Sequence, residues 1–220
     1  VPDSIPEPER ALSLVRAAGF ELPDGDDGTL AVREPLPDVG HLLPSRRPVV
    51  LHPGTSVPAR AWPVDRYAEL ARLLISSGHD VVVTGASSER MLTRSVVADT
   101  SAVDLGGRTT LPELAGVLAA ASVVVVGNTG PAHLAAAVGT PVVSLFAPTV
   151  PAVRWAPYRV PTVLLGDQHA VCRETRVTEC PFEGHPCLTS VHADDVRRAV
   201  EQLCGSQPPT AVGSPSRSSA

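Results

Sequence analysis

The sequence predicts an α/β fold in which a parallel, Rossmann-like sheet carries helices on both faces. Short β-branched runs such as PVVLH (48–52) and SVVVVG (122–127) are apolar at successive central positions, which is typical of strands buried on both faces. Segments of about 10–15 residues with helical periodicity separate these runs, and this alternation indicates βαβ units. We assign the resulting domain to residues 48–204.

The first βα unit shows the pattern clearly. The strand at 48–52 is followed by a predicted helix at 63–77, with Pro63 at its first position and Gly78 just past its end. One face of this helix is apolar at helical spacing, through Val64, Tyr67, Leu70, Ala71 and Leu74. The segment therefore predicts a helix that packs against the sheet.

Further strands and helices alternate along the rest of the domain. We expect strands at 80–85, 102–107, 122–127 and 141–146. The predicted helices begin near Ser87 and then cover 110–121, 130–139 and 191–203. Thr110 and Glu113 have the spacing of a capping box, which marks the start of the second of these helices.

Two segments flank the predicted domain. Residues 1–47 are interpreted as an interdomain helix and a linker rich in Pro, Gly and Asp. The helix, in PEPERALSLVRAAG, is expected to place Leu12, Leu14 and Val15 on its inner face. The tail at 205–220 is rich in Ser, Pro and Gly, and we expect it to be disordered.

Composition argues against several function classes. The net charge is −5 and the basic residues are scattered, so there is no electrostatic footprint for nucleic acid. No apolar run approaches the roughly 18 residues of a membrane span, and the first residues lack a signal-peptide pattern. The expected localisation is cytoplasmic, with a peripheral position at the inner membrane face as an alternative. All 18 basic residues are Arg.

Three of the four cysteines, Cys172, Cys180 and Cys187, lie in one segment, CRETRVTECPFEGHPC, together with His185. A Cys₃His zinc site is one interpretation, but the spacing lacks the close CxxC pairing of zinc ribbons and fingers. A disulfide or redox pair is a second interpretation. The spacing favours ordinary loop cysteines, and we predict no metal site.

Candidate binding residues follow the first two strands, since ligands of open α/β sheets bind outside the carboxyl ends of the strands. After the first strand, HPGTSVPARAWP offers hydroxyls at Thr55 and Ser56 and a guanidinium at Arg60, which are phosphate-binding groups. An ordinary turn with a solvated Arg is the alternative, and Trp62 is expected to pack under the loop. After the second strand, Glu89 is placed either to hold a ribose diol or to complement a helix dipole.

The third and fourth strands also end in candidate ligand groups. The string GGRTT, with Gly107 and Thr109, follows the third strand and is placed to flank a nucleobase. The fourth strand ends in GNTGP at a helix N-terminus, where free N–H groups can bind an anion. The candidate ligand residues of GNTGP are Asn128, Thr129, Gly130 and Pro131. His133, one turn into the helix, either faces the same ligand or packs in the core.

Taken together, these strings resemble glycosyltransferase family 9, the heptosyltransferase family, over about residues 48–203. The resemblance lies in HPGTSVPARAWP, VVVTGASSE, DLGGRTTLPELAGVLAAAS, GNTGPAHLAAAVGTPVVSLFAPT and CPFEGHPC. The sequence has no nucleophile elbow, HExxH or Walker A motif. The resemblance implies a GT-B fold, and this chain is similar to the C-terminal half, which binds a nucleotide-sugar donor.

Carried over by position, the resemblance implies diphosphate contacts from Thr55, Ser56 and Arg60 and a ribose contact from Glu89. The family usually has Lys where this chain has Arg60. Arg is compatible with that role because a guanidinium can bind phosphate in bidentate fashion.

The resemblance also implies phosphate contacts from the backbone of 129–131 and from His133, and it places Asn128 near the donor sugar. The family often has Asp where this chain has Asn128. An amide can bind sugar hydroxyls but carries no charge, so the identity of the sugar stays open.

The implied reaction is inverting transfer from an ADP-heptose-like donor to a glycan or lipid-linked acceptor such as lipopolysaccharide, without a metal cofactor. Arg60 and Asn128 would act at the leaving group and the sugar. The general base and the acceptor site belong to an N-terminal domain that this chain lacks, so we expect donor binding with little or no turnover. The alternatives are a non-catalytic nucleotide-binding or partner-docking module and another GT-B enzyme, such as a nucleotide-sugar epimerase.

Overall fold

The computed structural model describes residues 4–44 and 47–205, so the predicted disordered tail lies outside the described residues except for Gly205. Within them, parallel strands form one six-stranded sheet in the order β3-β2-β1-β4-β5-β6. The strands are β1 Val49–His52, β2 Val81–Gly85, β3 Val103–Gly106, β4 Val123–Gly127, β5 Val142–Leu145 and β6 Thr162–Leu165. The predicted Rossmann-like α/β fold is confirmed.

Helices connect the strands and cover both faces of the sheet. They are α1 Glu7–Ala17, α2 Val64–Ser76, α3 Arg90–Val97, α4 Leu111–Ala120, α5 Gly130–Ala137, α6 Ala152–Trp155, α7 Pro186–Thr189 and α8 Ala193–Gly205. Short 3₁₀ turns occur at Gly40–Leu42, Pro58–Arg60 and Ser87–Glu89. The predicted capping box at the start of α4 is present, since Thr110 Oγ1 accepts a hydrogen bond from the Glu113 N–H.

The core lies in two layers, one on each face of the sheet. Val49 and Leu51 point to the layer built with α2, α3 and α8, whereas Val50 points to the layer built with α4 and α5. The same alternation continues in the neighbouring strands, because successive side chains of a strand point to opposite faces. This two-sided burial explains why most positions of the strands are apolar, and the exceptions include His52, Thr84 and Ser144.

Three elements of the described chain were not predicted: β6, α6 and α7. The residues of β6 are only half-buried, as expected for the edge of the sheet, and the strand has four residues. Both short helices also have four residues. Segments of four residues are too short to show the periodicity of a helix or a strand. The prolines near them are typical of loops.

The prediction of a buried inner face on α1 is wrong. Leu14 and Val15 are 55% and 45% exposed, and α1 has no buried residue. Polar contacts attach the helix instead: Arg154 Nε donates to Glu7 Oε2 at 3.0 Å, and the Tyr158 hydroxyl donates to Glu9 Oε1 at 3.1 Å.

The inward position of Val64 on α2 is also wrong, although the rest of that face is buried as predicted. Val64 is the first residue of the helix and is 37% exposed, because the first turn extends past the layer that α2 covers.

Candidate functional site

Two adjoining clefts lie at the carboxyl edge of the sheet, where β1 and β4 are neighbours. The chain leaves these two strands toward opposite sides of the sheet, which makes their ends the topological switch point where ligands bind in such folds. The loops after β1 and β4 form the shared wall of the clefts, through Ser56, Thr129 and Gly130. The structure therefore brings together the two loops that the sequence singled out.

The first cleft, which we call the arginine cleft, has a volume of about 390 Å³. Its lining residues are Ser56, Arg60, Asn128, Thr129, Gly130, His133, Val150, Arg154, Trp155 and Arg176. Three of them are arginines and none is Asp or Glu, so the cleft attracts anions. The sequence analysis found Arg60 and missed Arg154, Trp155 and Arg176.

The second cleft, which we call the glutamate cleft, has a volume of about 360 Å³. Its lining residues are His52, Gly54, Thr55, Ser56, Gly85, Ala86, Glu89, Thr109, Thr110, Leu111, Leu114, Thr129, Gly130 and Pro131. Glu89 is the only carboxylate among these lining residues. The cleft thus combines small residues, hydroxyls and apolar side chains with one negatively charged hydrogen-bond acceptor.

Arg60 ends the 3₁₀ turn that follows β1, and a distant segment holds this turn in place. The Ala59 N–H donates to the Thr178 carbonyl at 2.9 Å, and His185 Nε2 lies 3.1 Å from the Ala59 carbonyl oxygen. Arg60 Nη1 donates to the Asn128 backbone carbonyl at 3.5 Å, whereas its buried Nε has no partner among the described residues. Burial lowers the pKa of Arg60 from its ordinary value.

Asn128 and Thr129 lie between β4 and α5, and each has a buried polar atom with no partner in the part of the chain that the structure describes. Asn128 is 4% exposed, and the two atoms are Asn128 Nδ2 and Thr129 Oγ1. Thr129 is the N-cap residue of α5, but its side chain makes no capping hydrogen bond. Unpaired buried polar groups are costly, so this arrangement favours a ligand that supplies the missing partners.

His133 lies in the arginine cleft rather than in the core. Its ring is 6.4 Å from the Trp155 ring, centroid to centroid, in an edge-on arrangement. Burial lowers the pKa of His133. Burial therefore favours the neutral imidazole, whereas an anion beside the ring would favour its protonated form.

Glu89 has a structural contact as well as a place in the glutamate cleft. One carboxylate oxygen accepts a hydrogen bond from the Ala86 N–H at 2.7 Å, and the carboxylate lies against Gly54, where any Cβ would collide with it. Both interpretations from the sequence therefore fit its position.

The remaining predicted contact residues differ in whether they line a cleft. The Thr55 hydroxyl is engaged with the backbone of Val57, at 3.2 and 3.3 Å. Thr109 lines the glutamate cleft, whereas Gly107 does not line either cleft. Gly107 has a φ of +64° and its carbonyl accepts a hydrogen bond from Arg90, so its visible role is to form the turn.

His52 is a further residue of the glutamate cleft that the sequence analysis missed. It ends β1, is 6% exposed, and its Nδ1 lies 2.9 Å from Thr84 Oγ1. Burial lowers the pKa of His52, and the nearby Glu89 carboxylate opposes this effect. A histidine as the last residue of a fully apolar strand was the available signal.

The cysteines divide into a cluster and a single residue. Cys172, Cys180 and Cys187 line one small cavity of about 170 Å³, whereas Cys204 belongs to α8, and all four are free thiols. Burial and the other two thiols raise the pKa of Cys187 to about 12. Among residues 4–44 and 47–205, no group of three or more His, Cys, Asp or Glu side chains is arranged to hold a metal ion.

The helices of the described ranges were also compared with the dimensions of a bilayer. None of them combines the length and the apolar composition that a membrane-spanning helix needs.

Comparison with known proteins identifies the family. The model of glycosyltransferase family 9 (heptosyltransferase) matches residues 9–185. Lipopolysaccharide heptosyltransferase 1 of Pseudomonas aeruginosa is 34% identical over 181 residues, covering 80% of this chain and 49% of that protein. Lipopolysaccharide heptosyltransferase 2 of Salmonella typhimurium is 33% identical over 117 residues, covering 50% of this chain and 34% of that protein.

Solved structures agree with this result. The ADP-heptose lipopolysaccharide heptosyltransferase II of E. coli is 26% identical with a TM-score of 0.61, and the match covers 74% of this chain and 48% of that one. A family 9 glycosyltransferase from Veillonella parvula matches 92% of this chain and 61% of its own with a TM-score of 0.73, and its 18% identity supports the fold alone. The chain spans a third to a half of the length of the two heptosyltransferases from Pseudomonas and Salmonella. The chain belongs to glycosyltransferase family 9, the heptosyltransferase family.

Proposed function

We propose that this chain is the donor-binding part of a heptosyltransferase-type enzyme, which binds a nucleoside-diphosphate sugar of the ADP-heptose kind. The observation that carries the proposal is the pairing of two clefts of different charge across the ends of β1 and β4. A cationic cleft suits a diphosphate, and a neighbouring cleft with one carboxylate suits a ribose diol.

The donor is placed across both clefts. Its nucleoside occupies the glutamate cleft, with Glu89 accepting hydrogen bonds from the ribose hydroxyls. Its phosphates lie at the shared wall, beside the Gly130 N–H at the start of α5 and the Arg60 guanidinium. Adenine is the proposed base, with support from a relative: E. coli heptosyltransferase WaaC has been solved with ADP-2-deoxy-2-fluoro heptose, at 25% identity and a TM-score of 0.55.

In the proposed reaction, an acceptor hydroxyl attacks the anomeric carbon of the donor from the face opposite the diphosphate. The new glycosidic C–O bond forms as the bond to the diphosphate oxygen breaks, which inverts the configuration. Negative charge then builds up on the leaving diphosphate, where Arg60 and the Gly130 N–H at the start of α5 stabilise it. The guanidinium groups take the place that a divalent cation has in other sugar transfers.

The sugar is placed deeper in the arginine cleft, beside Asn128. The buried and unpaired Nδ2 of Asn128 is a donor for a sugar hydroxyl. The general base for the acceptor hydroxyl and the acceptor site itself are proposed to lie on the part of the relatives that this chain does not cover. The acceptor is a glycan or a lipid-linked glycan.

Calorimetric titration of the 220-residue chain with ADP, UDP and GDP tests this proposal. We expect wild type to bind ADP and the Arg60→Ala variant to bind it about tenfold to a hundredfold more weakly, because a hydrogen bond to a charged group contributes about 1.5–3 kcal/mol. Arg72→Ala is the matched control, since Arg72 is an exposed residue of α2 outside both clefts. The control should bind as wild type does.

Two results would contradict the diphosphate assignment. One is that none of the three nucleotides binds to the wild-type chain. The other is that Arg60→Ala binds ADP as tightly as wild type does.

A further inference from the structure

The arginine cleft contains a cation that the family resemblance did not predict. Of its three arginines, Arg154 is paired with the Glu7 carboxylate, through Nε at 3.0 Å and through Nη2. Arg60 donates to the Asn128 backbone carbonyl. Arg176 is exposed at the mouth of the cleft, and its guanidinium makes no hydrogen bond or ion pair within residues 4–44 and 47–205.

The backbone around Arg176 is held in an unusual conformation. Glu174 and Arg176 have φ values of +61° and +58°, in the left-handed region that side-chain-bearing residues avoid. Two hydrogen bonds maintain it: the Glu174 N–H donates to the Pro148 carbonyl at 2.8 Å, and the Arg176 N–H donates to the Thr149 carbonyl at 2.9 Å. The segment after β5 therefore anchors this loop beside the cleft, and strained backbone of this kind is common in binding sites.

The surroundings of Arg176 favour an anionic ligand over a protein partner. None of the other residues that line the cleft is acidic, and two of them, Arg60 and Arg154, are also cationic. The Glu7 carboxylate already pairs with Arg154, which leaves the guanidinium groups of Arg60 and Arg176 to attract an anion. Independently, the buried Asn128 Nδ2 in the same cleft has no partner among the described residues, which also indicates a ligand there.

We propose that Arg176 is a second guanidinium of the diphosphate site and contacts the phosphate that carries the sugar. Arg176 lines only the arginine cleft, whereas the nucleoside is placed in the glutamate cleft, so Arg176 meets the distal rather than the proximal phosphate. This inference rests on the function proposed above. It makes the cysteine-containing loop a part of the donor site, because that loop carries Arg176 and also holds the Arg60 turn through Thr178 and His185.

Titration of the 220-residue chain with ADP and with AMP tests the inference, with AMP measured in competition against ADP. We expect Arg176→Ala to bind ADP about tenfold more weakly and AMP with less than about twofold change, because only ADP has the distal phosphate. Arg173→Ala is the matched control: Arg173 is an exposed arginine of the same loop, lies outside the cleft and faces Glu174 at 3.7 Å. Arg176→Lys restores the charge and should bind ADP more tightly than Arg176→Ala.

The outcomes separate this inference from the proposed function. If wild type binds ADP and Arg176→Ala binds it equally well, the inference is wrong and the proposed function stands. Equal weakening of ADP and AMP, or no gain in Arg176→Lys over Arg176→Ala, would show a general effect on the loop and also overturn the inference. Failure of wild type to bind ADP would overturn the proposed function itself.

Discussion

At the scale of single residues, the protonation state of His133 connects burial with ligand binding. Partial burial beside Trp155 lowers the pKa of His133 and favours the neutral ring in the ligand-free chain. A diphosphate in the arginine cleft would stabilise the imidazolium and raise this pKa. Binding is then coupled to the uptake of a proton.

The coupling predicts that affinity for a nucleotide sugar increases as the pH falls. Between the higher pKa of His133 in the complex and its lower pKa in the free chain, protons bind only to the complex, so acidification favours binding. From about pH 8 to about pH 5.5 we expect a gain in affinity of up to about tenfold, because the proton is taken up by the complex. Calorimetry with ADP-glucose measures it, since a doubly esterified diphosphate keeps its charge over this range.

The His133→Gln variant is the control for this prediction. It retains His52, the other histidine of the two clefts, and should show a much flatter pH dependence. An equal slope in wild type and in His133→Gln would exclude His133 as the titrating group.

At the scale of elements, the capping box at the start of α4 is visible in the sequence, and its contribution to the free energy of unfolding can be measured separately. The Thr110 N–H donates to Glu113 Oε2 at 2.7 Å, and Thr110 Oγ1 accepts from the Glu113 N–H at 3.4 Å. The Thr110 hydroxyl also lies 2.7 Å from Glu113 Oε2, and the hydrogen bonds that the Thr110 N–H and hydroxyl donate to this carboxylate lower the pKa of the Glu113 carboxyl. The capping box satisfies N–H groups that have no partner within the helix.

Loss of this cap should destabilise the whole domain by a modest amount. We expect Thr110→Ala to lower the free energy of unfolding by about 1 kcal/mol, which corresponds to a fall in Tm of about 2–4 °C for a chain of this size. Ser95→Ala is the control, because Ser95 lies inside α3 and its hydroxyl only donates back to the Met91 carbonyl. Thermal unfolding followed by circular dichroism compares the two, and an equal fall in Tm would contradict the capping explanation.

At the scale of the whole molecule, one sheet separates two core layers, so the layers are expected to unfold together. Leu118 of α4 is fully buried in one layer, and Trp62 is 3% exposed in the other, where its Nε1 donates to the Val191 carbonyl at 3.1 Å. The same strands contribute side chains to both core layers. Damage to one layer should therefore be detected by a probe in the other.

We predict that Leu118→Ala destabilises the chain by about 2–5 kcal/mol and that Trp62 fluorescence reports it. A Trp155→Phe background leaves Trp62 as the only tryptophan of the sequence. Leu111→Ala, on the same helix but 70% exposed, should change stability by less than about 0.5 kcal/mol. An unchanged Trp62 transition in Leu118→Ala, with a lower midpoint by circular dichroism, would show that the layers unfold separately.

The α/β class and the loops of the site could be predicted because they depend on local patterns. Apolar β-branched runs separated by amphipathic segments indicate parallel strands and their helices, and parallel strands place their following loops on one edge. The predicted contact residues Ser56, Thr129 and Gly130 accordingly form the wall between the clefts. The burial of Trp62 under the first loop was also predictable.

The other half of the site depended on tertiary structure. Arg154 and Arg176 line the cleft with Arg60 although they lie far from it in the chain, Arg154 in the four-residue helix α6 and Arg176 in a loop, where no periodic pattern marks them. Their place is set by specific contacts, such as the hydrogen bond from the Arg176 N–H to the Thr149 carbonyl. Sequence by itself therefore determined the sheet and the edge at which a ligand binds, through periodicity that each segment carries alone. Only the tertiary structure decided which distant cations meet there, because such contacts depend on the packing of the whole chain.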